Sequence, residues 1–145
     1  MRRLVKLAVL GALLAVALSA CGNDAANDAP AVAEPVTAEQ VQAIAENILA
    51  AYNTGDYGAF RRDLSLPAKL IVDEETFAEF RHENLPVTGP YVAITSVQAV
   101  PGRQDADHAR YLVHSRFEHQ NAVTLLVTVS RGGEVDGLEF YPRGW

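Results

Sequence analysis

The chain predicts an α+β domain: three N-terminal helices packed on a curved, cone-like, four-stranded antiparallel sheet. Two observations carry this. Residues 37–84 place apolar side chains at helical spacing between Pro and Gly breaks, and from Tyr91 onward the apolar period changes to two. A third bounds the domain. Residues 1–36 contain an apolar leader and a stretch without aromatic residues, which leaves 37–145 for a single core.

The leader explains the first 20 residues. Arg2, Arg3 and Lys6 precede the apolar run Leu7–Leu18, and small Ser19 and Ala20 precede Cys21, the single cysteine. This order is that of a secretory signal, and the run is shorter than the roughly 20 residues a membrane span needs. Leu18-Ser19-Ala20-Cys21 resembles a bacterial lipobox. The resemblance implies cleavage before Cys21, acylation of its sulfur, and attachment to the extracytoplasmic side of a membrane in the cell envelope. Gly22 after the lipidated residue implies the outer membrane if the cell is Gram-negative.

Cleavage removes three basic and no acidic residues, leaving nine basic against 18 acidic in the mature chain. Nucleic-acid binding, which needs clustered Lys and Arg, is therefore not expected. With Cys21 acylated, disulfides, thiolate metal sites and cysteine nucleophiles are also excluded. Residues 21–36 read as lipidated Cys21 followed by a flexible tether, Gly22 to Val36. Its 15 residues reach roughly 50 Å when extended and about 20 Å as a coil.

Thr37-Ala38-Glu39-Gln40 has capping-box spacing and opens the first helix. Val41, Ile44, Ala45, Ile48, Leu49 and Tyr52 form its apolar stripe, and Gly55 stops it. Asp56 caps a short second helix with Tyr57, Phe60 and Leu64 on one side, which Pro67 breaks. Asp73 or Glu74 opens a third helix to about Asn84, with Phe77 and Phe80 inward, helped by Ile71 and Val72. Leu85-Pro86 and Gly89-Pro90 close the helical half.

Four strands follow, Tyr91–Val100, His108–His119, Ala122–Ser130 and Val135–Tyr141. In the second, Tyr111, Val113, Ser115 and Phe117 share one face, while Arg110, Leu112, His114, Arg116 and Glu118 share the other. Gln120-Asn121 and Arg131-Gly132-Gly133-Glu134 supply the turns.

The stretch Tyr52-Asn53-Thr54-Gly55-Asp56-Tyr57 with Phe60, followed by this sheet and the terminal Gly137-Leu138-Glu139-Phe140, resembles the nuclear transport factor 2-like superfamily. The nearest likeness is to short domains that follow lipoboxes in many bacteria. The resemblance implies helices closing over a curved sheet, with a pocket at the open end. Some members are isomerases, hydratases or cyclases; others bind ligands or form dimers. No stretch here matches the catalytic motif of those isomerases, so no catalytic residue is assigned.

The residues themselves leave two uses for the interior. Tyr52, Tyr57, Phe60, Phe77, Phe80, Tyr111 and Phe117 either fill the core or line a pocket with tyrosine hydroxyls as polar handles. His108, His114 and His119 lack the strand spacing of a metal site. His114, Arg116 and Glu118 share a face that reads as solvated, as do Arg61 and Arg62 on their short helix. No metal or cofactor is expected. The expected role is a lipid-anchored binding or interaction domain, with a small apolar ligand, a protein partner or a second copy of the chain as its partner. Thr124, Leu126, Thr128 and Leu112 offer a mixed face for such pairing. The alternatives are a small isomerase- or hydrolase-type enzyme acting on an apolar ligand in the cone, with His114 or Tyr111 in the pocket, and a structural envelope protein.

Overall fold

A computed structural model describes residues 35–101 and 107–143. Cys21 and the leader and tether residues up to 34 lie outside the described residues. Among the described residues four helices precede four strands: α1 Ala38–Thr54, α2 Tyr57–Arg61, α3 Leu66–Ile71, α4 Glu74–Thr88, β1 Tyr91–Ala99, β2 His108–Phe117, β3 Val123–Ser130 and β4 Val135–Tyr141. The strands form one antiparallel sheet in the order β1-β2-β3-β4. No described helix is long and apolar enough to cross a membrane.

Helix α1 begins as its sequence dictates. Thr37 accepts from the Gln40 N–H and Gln40 reaches back to the Thr37 N–H, a complete capping box. Its stripe Val41, Ala45, Ile48, Leu49 and Tyr52 is buried, each large side chain contributing on the order of 1.5–3 kcal/mol. The packed unit takes in Val36, one residue before the cap: its side chain is buried and its carbonyl accepts a hydrogen bond from the Tyr111 hydroxyl.

Three helical features differ from the sequence reading. Pro67 does not simply break the second helix; it sits in the first turn of α3, behind the Ser65 cap. A missing N–H costs nothing there, because the first-turn N–H groups have no helical acceptor. The domain thus has four described helices where three were expected. Ile71, expected inward, is 58 % exposed at the end of α3. Helix α4 also runs on through Pro86 to Thr88. The proline lies in the last turn, where only one bond is forfeited, and the Gly89 N–H still closes onto the Leu85 carbonyl.

The segment between α2 and α3 joins the sheet edge. Val135 donates to the Asp63 carbonyl and accepts from the Ser65 N–H, a parallel bridge that buries Leu64 beside β4. Two register shifts fall in β1, at Val92 and Thr95, and one near Asp136 in β4. Strand β2 itself stays regular, so the Tyr111, Val113, Ser115 and Phe117 face remains buried beneath the helices.

Candidate functional site

Six of the seven aromatic residues singled out from the sequence meet between helices and sheet, in two groups. Tyr52 lies at the centre of the larger, with ring centroids 5.7 Å from Phe80, 5.9 Å from Phe117 and 6.1 Å from Phe140. Phe140 contacts Phe80 edge-on at 5.1 Å and Phe117 at 5.9 Å. In the smaller group Phe77 stacks on Phe60 at 4.4 Å and on Tyr57 at 6.0 Å. Tyr111 stands apart, under the entry of the chain into α1. These separations are those of rings in mutual contact.

The tyrosine hydroxyls of this set are engaged by the protein itself. Tyr52 Oη pairs with Thr88 Oγ1 at 3.0 Å, Tyr57 Oη donates to the Val72 carbonyl at 2.8 Å, and Tyr111 Oη donates to the Val36 carbonyl. Burial pushes the Tyr52 phenol upward, against the Thr88 hydrogen bond and the Arg81 charge. Thr88 is wholly buried and also donates within the α4 terminus, to Asn84 or Gly89. Of the two uses open from the sequence, the hydroxyls hold helix to helix, through Tyr52 and Tyr57, and β2 to the incoming chain, through Tyr111.

The Asn53–Phe60 stretch that carries the superfamily resemblance has a structural use at every marked position. Asn53 Nδ2 donates to the Tyr91 carbonyl at 2.9 Å while its Oδ1 accepts from the Tyr91 N–H at 2.7 Å, a two-point clamp on the start of β1. Gly55 ends α1 in the left-handed region at φ 74°. A Cβ there would also lie 2.7 Å from Arg81 Nη1. The Arg81 guanidinium needs that space, because it donates to the Tyr52 and Asn53 carbonyls at 2.6 and 3.2 Å and caps α1. Asp56 caps α2 through the Ala59 N–H, Tyr57 ties down Val72, and Phe60 enters the core. Arg81 escaped the sequence reading, since an arginine on an amphipathic helix carries no sign of what it will reach.

The other sheet face carries the polar candidates. The register aligns Ser96, His114, Thr124 and Tyr141 in one row and Gln98, Leu112, Leu126 and Glu139 in the next. His114 Nδ1 lies 3.1 Å from Thr124 Oγ1, and Tyr141 Oη donates to Glu139 at 2.6 Å, which pushes the Tyr141 phenol upward. His108 Nε2 lies 3.2 Å from an Asp136 oxygen. Thr124 and Leu126, at the middle of the sheet, are buried, while Leu112, His114 and Thr128 are half-buried and Arg116 and Gln98 exposed. The structure therefore does not bring His114 to the aromatic interior. His119 lies beyond β2, its ring against Gly89. Among the described residues no three His, Cys, Asp or Glu side chains converge as metal ligands.

Among the described residues one interior group is unused. Ser115, 1 % exposed on the helix-facing side of β2, has a hydroxyl without a hydrogen-bond partner. A shallow groove on α4 is lined by Ala78, Arg81, His82, Leu85 and Pro86. Its arginine is already committed to α1. No protein-family model, no curated protein and no solved structure matches the chain.

Proposed function

We propose that the protein is a lipid-anchored, extracytoplasmic interaction domain of nuclear transport factor 2-like fold that works through its surface. The observation carrying this reading is the engagement of the Tyr52, Tyr57 and Tyr111 hydroxyls within the protein, with the neighbouring rings packed on one another. An interior so tied is a core. The register shifts in β1 and near Asp136, which bend strands, support a curved sheet. The leader ending at Cys21 supports the anchor.

The surface with the strongest claim is the sheet face away from the helices. Its centre is apolar, Leu112 over Leu126, and its margin is polar, with His114, Arg116, Gln98 and Glu139. That arrangement of apolar centre and polar rim suits a protein partner, and a second copy of this chain is the simplest one. Sedimentation of the mature chain tests it. A dimer that Leu112→Arg splits, with the fold unchanged, supports the reading; a monomer at every concentration refutes self-association through this face.

A further inference from the structure

A second surface stands out at the α2–α3 corner. Leu66, Leu70 and Ile71 are 70 %, 80 % and 58 % exposed, the three most exposed large apolar side chains described. They belong to a six-residue helix whose one buried side chain is Ala68. Helix α3 thus turns most of its apolar surface outward, the reverse of the usual pattern for a helix at a protein surface.

Three cations lie beside these residues, with acids following on the other side. Arg61 is exposed, its guanidinium 5.4 Å from the Tyr57 ring centre. Arg62 pairs with Asp63 at 3.2 Å yet keeps its side chain 64 % exposed. Lys69 lies within α3 and reaches the Arg62 carbonyl. Apolar side chains flanked by cations suit the boundary between acyl chains and anionic headgroups. The exposed acids Asp73, Glu74 and Glu75 follow directly, so the apolar contact must dominate the attachment.

The position of the corner selects the occupant. The chain enters the packed unit at Val36, whose carbonyl is held by Tyr111. The α2–α3 corner is held by Val135, whose row passes through Val129 to Ala109, two residues from Tyr111 on β2. Tether entry and apolar corner therefore share one end of the sheet. The other end, where Asn53 clamps Tyr91 beside Phe117, lies six residues further along β2, roughly 20 Å away. We infer that α3 docks on the same membrane that anchors Cys21, with Leu66, Leu70 and Ile71 entering the headgroup region and Arg61, Arg62 and Lys69 meeting anionic headgroups. This rests on the lipid anchor of the proposed function, and adds a second contact that fixes which end of the domain faces the bilayer.

The test uses the full mature acylated chain in vesicles of phosphatidylethanolamine and phosphatidylglycerol. An environment-sensitive fluorophore is attached through Leu70→Cys and, as a control at the far end of the sheet, through Glu118→Cys; both native residues are exposed. The expected result is a blue shift and quenching by headgroup-level spin-labelled lipid at position 70, with neither at position 118. Equal, water-like emission from both positions on acylated chains overturns the docking. A position-70 label shielded in whole envelopes but wet on vesicles also overturns it, and assigns the corner to a protein partner. Mass measurement of the same sample separates failure of the anchor: an unacylated Cys21 overturns both readings.

Discussion

Asn53 holds two elements together with one side chain, so its removal leaves the Tyr91 N–H and carbonyl without partners. Asn53→Ala is expected to cost about 2–6 kcal/mol in urea unfolding, because each of the two part-buried orphans carries a penalty of roughly 1–3 kcal/mol. Asn53→Asp, which keeps the acceptor and loses the donor, should fall between. Gly55→Ala meets both the left-handed backbone and the Arg81 guanidinium, and is expected to lower stability by about 1–3 kcal/mol. Ser115 runs the other way. Its buried hydroxyl has no partner, so Ser115→Ala should leave the melting temperature unchanged or raise it; a clear fall would mean that the hydroxyl has a partner in solution.

At the scale of elements, α1 and the strand faces were legible because their signals are strictly local. The capping box at Thr37 and the 3.6-residue stripe leave one solution for α1, and the alternation in β2 separates Tyr111 from Leu112 without tertiary knowledge. Helix α3 was not legible. Leu66, Leu70 and Ile71 point to solvent, so its apolar pattern gives no inward stripe, and Pro67 reads as a breaker unless the Ser65 cap is seen first. Of the aromatic set, Tyr52, Phe60, Phe77, Tyr111 and Phe117 are buried and Tyr57 and Phe80 half-buried against them, and the partners of the hydroxyls were not legible. Whether a tyrosine hydroxyl greets a ligand or a backbone carbonyl depends on partners such as Thr88 and Val36, which are distant in sequence. The N-x-G-D-Y-x-x-F spacing at Asn53–Phe60 marks a folding corner joining α1, α2, α4 and β1. The largest element-level effect is expected at the packing of β2 and β4 beneath α1: Phe117→Ala, which strips a 1 % exposed ring from Tyr52, Tyr91 and Phe140, should cost about 3–5 kcal/mol in denaturant unfolding.

At the scale of the whole molecule, the phenols of buried Tyr52 and half-buried Tyr91 give stability a pH dependence of definite sign. Burial raises Tyr52 and Tyr91 above the ordinary tyrosine value of 10.0, in Tyr91 helped by the Glu46 charge. The folded chain therefore holds protons that the unfolded chain releases from about pH 10. Their contribution is complete below that pH and is lost as pH rises through the raised folded values. Urea midpoints should fall steadily above pH 10, and Tyr52→Phe should flatten the decline while costing about 1 kcal/mol at neutral pH for the lost Thr88 bond. The proposed domain keeps its interior for its own rings and makes its contacts outside, on the sheet face and at the α2–α3 corner. Native mass spectrometry of the acylated chain, after exposure to cell-envelope extract, tests that claim most directly. The expected mass is that of the acylated chain, as monomer or dimer, with no additional small molecule. A retained apolar compound, released when the Tyr52–Phe117–Phe140 cluster is altered by Phe140→Ala, would contradict it and make the aromatic interior a binding pocket.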